Sequence, residues 1–189
     1  ELKALIGIRD QIRPGVKEDL QKLKKLGVKN LVVLSGDNQG TVDLVARELG
    51  LTEAHGHMLP GDKSTYIEKL KAKGHIVAFV GDGVNDSPSL ALAQIGIAMG
   101  SGTDVAIETS DVVLMNSDFS RLPHALGLTK ATANNMRQNI IIAVGVVLIL
   151  LASVFFSEWM NMSIGMLVHE ASILFVILNG MRLLRYKLR

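Results

Sequence analysis

Through residues 1–115 short aliphatic runs alternate with amphipathic stretches, the pattern of repeated βα units closing on a parallel sheet. The spacing predicts strands at Leu5–Ile8, Asn30–Leu34, His75–Val80, Ile95–Ala98 and Val112–Leu114. Between them Pro14 opens a segment with Val16, Leu20, Leu23 and Leu26 at helical spacing and Gly27 stops it, and Thr41–Leu49 and Asp62–Lys71 carry the same pattern. Strands as continuously apolar as Leu31, Val32, Val33 and Leu34 need cover on both faces, so the expected fold class is α/β, a doubly wound parallel sheet.

The pattern then changes. Ile140–Phe156 is a run of 17 residues without a charge, and Met160–Leu184 is a second apolar run interrupted mainly by His169, Glu170 and Asn179. About 20 helical residues span a hydrocarbon core of roughly 30 Å, so the two runs, joined by Ser157, Glu158 and Trp159, predict a transmembrane hairpin. Lys130 and Arg137 precede it and Arg182, Arg185, Lys187 and Arg189 follow it, while the link carries no Lys or Arg. By the positive-inside rule both ends and the sheet domain are cytoplasmic, which makes this a multi-pass protein of the cell membrane with the lipid bilayer as a partner. The expected organisation is a sheet domain over 1–117, a connecting amphipathic helix over 118–138 and the hairpin with a basic tail over 139–189.

Composition sharpens this picture. An apolar content of 48% with only 4% aromatics fits aliphatic packing plus a segment outside water, and excludes disorder for most of the 189 residues. Twenty Lys+Arg against 18 Asp+Glu leave +2, too little for nucleic-acid binding. With no cysteine there is no disulfide, thiolate metal site or cysteine nucleophile in these residues.

The most specific string is Gly81-Asp82-Gly83-Val84-Asn85-Asp86-Ser87-Pro88, directly after a predicted strand. Ligands of parallel sheets bind at strand ends; two glycines admit a phosphate close to the backbone, and two carboxylates suit a hard cation. That combination points to Mg²⁺-assisted phosphoryl chemistry, with a polar turn as the bland alternative. Ser35-Gly36-Asp37-Asn38 places a hydroxyl beside a helix N-terminus, where an anion can bind, although Asp37 or Asn38 also serve as caps. Lys63 offers a point charge. Hydroxyl loop, lysine and paired carboxylates, in this order, are what haloacid-dehalogenase-type sites present.

With those residues the chain resembles the C-terminal third of a P-type ATPase. Asp10-Gln11-Ile12-Arg13-Pro14 is similar to the family's segment re-entering the phosphorylation domain, and the Ser35, Lys63 and Gly81–Pro88 motifs match its phosphate and Mg²⁺ elements. The resemblance implies that Asp82 ligates Mg²⁺ and that Asn85 and Ser35, with Gly36 and Asp37 in the same loop, serve the phosphoryl group. It also implies that Lys63 neutralises that group and that Asp86 holds Lys63 or the loop and contributes to the cation site. The family's Asp-Lys-Thr-Gly-Thr stretch does not occur here. The nucleotide-binding domain that takes ATP, the actuator domain and the kinked membrane helix are likewise expected upstream of Glu1, which makes the chain a piece of a longer protein.

Ionisable groups within a membrane span are functional candidates by default. Met162, Met166, His169, Ser172, Val176 and Asn179 recur at helical spacing, and Glu170 lies about 100° round from His169. Imidazole, carboxylate and hydroxyl suit a borderline divalent metal. His169-Glu170-Ala171-Ser172 followed by Asn179-Gly180-Met181-Arg182 resembles the His-Glu-Gly branch of heavy-metal pumps, which implies a transported cobalt, zinc, cadmium or iron ion bound by His169, Glu170 and Ser172. Ala171 and Ile173 depart from that branch's usual Gly and hydroxyl residue. The alternatives are a copper pump, a membrane-anchored phosphatase of the same fold, and a module that only binds phosphate.

Overall fold

The computed structural model describes residues 11–156 and 161–187, so the predicted strand at Leu5–Ile8 and the Ser157–Trp159 link lie outside the described residues. The chain separates into two compact units, Glu1–Pro123 and His124–Arg189.

In the first unit five strands are β1 (Val32–Leu34), β2 (Glu53–His55), β3 (Ala78–Gly81), β4 (Ile95–Met99) and β5 (Val112–Leu114). All pairings are parallel, but they form two sheets: β1 with β2, and β3-β4-β5. The all-parallel α/β pattern is the expected one, and among the described residues no strand bridges the two ladders. Among the described residues β1 and β3 are each paired on one side only, and Val32, Val33 and Leu34 remain half-buried despite their apolar character.

Helices α1 (Val16–Lys25), α2 (Gln39–Leu49), α3 (Pro60–Ala72), α4 (Ser87–Leu92) and α5 (Asp104–Thr109) connect the strands. Asn38 starts α2 by accepting the Thr41 N–H at 2.9 Å, and Gly50 ends it with φ 67°, a conformation that costs glycine nothing. In α3, Pro60 stands at the start, where its missing N–H costs no helix bond, and Asp62 Oδ2 accepts the Leu59 N–H at 2.9 Å. Leu20 and Leu23 from α1, Val42 from α2, Ile67 from α3, Leu90 from α4, Ala106 from α5, Ile97 and Ala98 from β4 and Leu114 from β5 make the core.

α6 (Arg121–Phe156) is one helix of 36 residues that carries both the connecting segment and the first apolar run. α7 (Met162–Met181) follows, ending in a 3₁₀ turn over Arg182–Arg185. Two helical stretches, Arg121–Phe156 and Ser163–Arg185, are long and apolar enough to cross a membrane. Their apolar side chains are exposed, Phe156 at 90% and Leu167 at 70%.

Candidate functional site

β1 and β3 end at the two motif loops, as strand ends of parallel sheets do. After β1, the Ser35 hydroxyl donates to Asp37 Oδ2 at 2.8 Å and accepts the Asp37 N–H at 3.2 Å, a local turn made by a short polar side chain. The chain after β2 holds this turn in place. The Ser35 N–H donates to the His55 carbonyl at 2.9 Å, the His57 N–H to the Asp37 carbonyl at 2.7 Å, and the Met58 N–H to the Ser35 carbonyl at 2.9 Å. Gln39 ties both sides, donating to the Ala54 carbonyl at 3.0 Å and accepting the Gly56 N–H at 2.6 Å. A Cβ on Gly56 would stand 2.7 Å from Gln39 Cα and 2.8 Å from the Asp37 carbonyl oxygen, so only glycine fits under the loop.

After β3 the chain turns through Asp82 and Gly83 into a 3₁₀ turn at Val84–Asp86 and then α4. Lys63, from the first turns of α3, reaches Asp86 Oδ1 at 2.8 Å, and both side chains are only 15% exposed. Gly81 makes room for Asp86, since a Cβ there would lie 2.7 Å from Asp86 Cβ and 3.0 Å from its Oδ2. Asp82 and Asn85 are exposed. The Asp82 backbone is gripped from a segment the sequence did not flag. The Thr103 N–H donates to the Asp82 carbonyl at 3.0 Å, and Gly102 packs so close that a Cβ would lie 2.7 Å from the same oxygen. The Ser87 hydroxyl is buried without a hydrogen-bond partner.

The structure therefore brings Lys63 to Asp86 and Ser35 to Asp37. Among the described residues no hydrogen bond or ion pair joins the Ser35 loop to the Asp82 loop. The donor set fits Mg²⁺: hard carboxylates on an accessible loop, where water and phosphate oxygens complete a shell that needs only one or two protein ligands. Asp82 is the carboxylate left exposed, whereas Asp86 is engaged by Lys63. A surface cavity of about 390 Å³ lies elsewhere, between Arg13–Lys22 and Ser117–Ser120, and includes none of these residues.

In α7, His169 and Glu170 are exposed, and the Ser172 hydroxyl donates back to the His169 carbonyl at 2.6 Å. Among the described residues no three His, Cys, Asp or Glu side chains converge on a metal-sized site, so His169 and Glu170 form at most part of one.

Parallel strands with these loops at their ends define a haloacid dehalogenase-like domain, and residues 1–94 and 63–126 each match a family of haloacid dehalogenase-like hydrolases. The similarity extends through the hairpin. A probable cadmium-transporting ATPase of Staphylococcus aureus (strain MRSA252) is 42% identical over 97% of the chain and 25% of its own length. A zinc-transporting ATPase of Bacillus subtilis (strain 168) is 40% identical over 98% of the chain and 29% of its own length. A zinc-transporting PIB-type ATPase solved in its E2·Pi state superposes with a TM-score of 0.81 at 38% identity, covering 94% of this chain and 29% of that one. The chain belongs to the heavy-metal-transporting P-type ATPases and spans about a quarter of the length of the curated relatives it matches.

Proposed function

We propose that this chain supplies the Mg²⁺ and phosphate half of the phosphotransfer site, and two helices of the transport path, in an ATP-driven pump that exports a divalent heavy metal. The observation that carries the reading is the Lys63–Asp86 pair, 2.8 Å apart, its aspartate in the same loop as the exposed Asp82, on a chain that also bears His169 and Glu170 in an apolar hairpin. An anchor alone needs neither of those ionisable groups.

In this reading the aspartate that accepts the phosphoryl group comes from an upstream segment of the same polypeptide, on a strand that pairs with the free edge of β1 or β3. The nucleotide-binding and actuator domains are upstream as well. Mg²⁺, held by Asp82 with Asp86 beside it, would offset charge on the phosphoryl oxygens. Lys63 adds a fixed positive charge next to the same group, and Asp86 fixes its direction. Asn85 donates a hydrogen bond to a phosphoryl oxygen, Ser35 does so by turning its hydroxyl from Asp37 to the phosphoryl group, and Gly36 lets the backbone approach. His169 and Glu170 give the metal cargo imidazole and carboxylate ligands, completed by another membrane helix, while Ser172, about 160° round α7 from Glu170, does not share that site. Zinc and cadmium are the ions the relatives favour, with cobalt and iron of the same donor preference. The sheet domain and both chain ends face the cytoplasm.

The test is ATPase activity of the full-length protein in lipid with Zn²⁺, Cd²⁺, Co²⁺, Fe²⁺ and Cu⁺ in turn. Stimulation by a divalent ion, abolished by His169→Ala and by Glu170→Ala, is expected. Stimulation by Cu⁺ alone would discard the ion assignment, and no metal dependence would leave an anchored phosphatase.

A further inference from the structure

At the Arg182 end of the hairpin three asparagines close a circuit between α6 and α7. Arg182 Nη1 donates to Asn179 Oδ1 at 2.8 Å, and Asn179 Nδ2 donates across to Asn139 Oδ1 at 2.8 Å. Asn139 Nδ2 donates to Asn135 Oδ1 at 3.2 Å, and Asn135 Nδ2 returns across to the Asn179 carbonyl at 2.8 Å. Every side-chain amide in the circuit both donates and accepts, and Asn135 is only 7% exposed. The Asn179 carbonyl also takes the N–H of Arg182, so the circuit holds α7 at the point where it gives way to the 3₁₀ turn.

Packing between apolar helices in lipid has little rotational preference, because Leu against Leu and Leu against lipid are nearly equivalent. Directional amide bonds supply what that packing lacks. Two of the four bonds cross between helices and converge on one residue, which fixes both the height and the rotation of α7 at Asn179. At about 100° per residue, Ser172 lies about 20° from the Asn179 direction, His169 about 80° and Glu170 about 180°. Exposure agrees: Gly165, Ser172, Val176 and Asn179 are half-buried, whereas His169 and Glu170 are exposed.

We propose that Asn135, Asn139 and Asn179 are positioning residues for transport. They form a clasp that sets the rotation of α7, so that Ser172 faces α6 while Glu170 is turned outward to the remaining helices of the pump and His169 sits on the flank between. The proposal rests on the pump reading above for its transport consequence, and on the hydrogen bonds alone for the rotational setting.

These 189 residues contain no cysteine, so within them only introduced pairs can cross-link. In the full-length protein in lipid, Ile142→Cys with Val176→Cys places both thiols on the facing stripes, and Ile142→Cys with Ile177→Cys places one off it. The first pair is expected to cross-link on oxidation and the second to resist. Adding Asn179→Ser, which is short and bonds its own helix, lets both pairs react. Without the introduced cysteines, Asn179→Ser raises the metal concentration for half-maximal ATPase stimulation about tenfold, the scale of lost ligand orientation, while phosphorylation by inorganic phosphate is unchanged. Asn139→Ser combined with Asn179→Ser gives no more than either alone, since both break one circuit.

An unchanged cross-linking pattern, an unchanged metal requirement, or losses that compound in the double variant each overturn the clasp. If the unsubstituted protein shows no metal-stimulated activity, it is the pump reading that fails, and the cross-links still decide whether the clasp sets the rotation.

Discussion

Lys63 and Asp86 form an ion pair largely removed from water, so losing one partner strands the other. Lys63→Met is expected to lower stability by about 2 kcal/mol, the scale of a hydrogen bond to a charged group, and to abolish phosphoenzyme turnover; thermal unfolding and turnover are the measurements. Gly81→Ala should displace the Asp86 carboxylate, costing about 1–3 kcal/mol and mimicking the Lys63 variant in turnover. A second polar contact gives a pH signature. The Tyr66 hydroxyl donates to Glu53 Oε2 at 2.6 Å; burial and then this bond push the phenol up to about 12. The bonds from Tyr66 and then His55 hold Glu53 below its ordinary value of 4.5. The phenol binds its proton more tightly in the fold, so its contribution is complete below its ordinary value of about 10 and is lost as pH rises to about 12. Glu53 contributes above 4.5, and that contribution is lost as pH falls through its lowered value. Tyr66→Phe should therefore lower the melting temperature most near neutrality, and a pH-independent difference would contradict this assignment. Asp82, Lys63 and Asp86 were legible because their motifs are contiguous or follow a helix start. Gly102 and Thr103 were not, because only the return of the chain after β4 carries them back to Asp82.

At the level of elements, legibility followed hydrophobic pattern. β4 and β5 fall where alternation and apolar runs put them, whereas Glu53-Ala54-His55 has no apolar pattern and becomes β2 through its pairing with β1 alone. α4 and α5 are six residues each, too short for a 3.6-residue period to register. The boundary drawn at 138/139 marks a change of composition, to which backbone hydrogen bonding is indifferent, and α6 runs through it. α4 nonetheless carries Leu90, 1% exposed, into the core, so Leu90→Ala should cost about 2–5 kcal/mol in chemical unfolding. Asn38→Ala, which removes the cap of α2 beside the Ser35 loop, should cost about 1 kcal/mol. A Leu90 variant within a few tenths of wild type would mean that α4 is not part of the folding core.

For the molecule as a whole, the charge pattern predicts one orientation in a membrane. Lys130 and Arg137 on α6 and Arg182, Arg185 and Lys187 after α7 flank the same end of the hairpin. Single cysteines introduced at Ser120 and Lys187 should therefore react with an impermeant reagent from the same side of sealed vesicles, and labelling from opposite sides would exclude a two-span hairpin. The divided sheet bears on handling. Among the described residues β1 and β3 each have one unpaired edge, and neither strand carries the charges or prolines by which soluble proteins blunt such edges. Expressed as these 189 residues alone, the sheet unit should recruit strands from its neighbours and be held dispersed by chaperones or low concentration. Its colloidal behaviour would then change more on receiving one complementary strand than on any change of detergent.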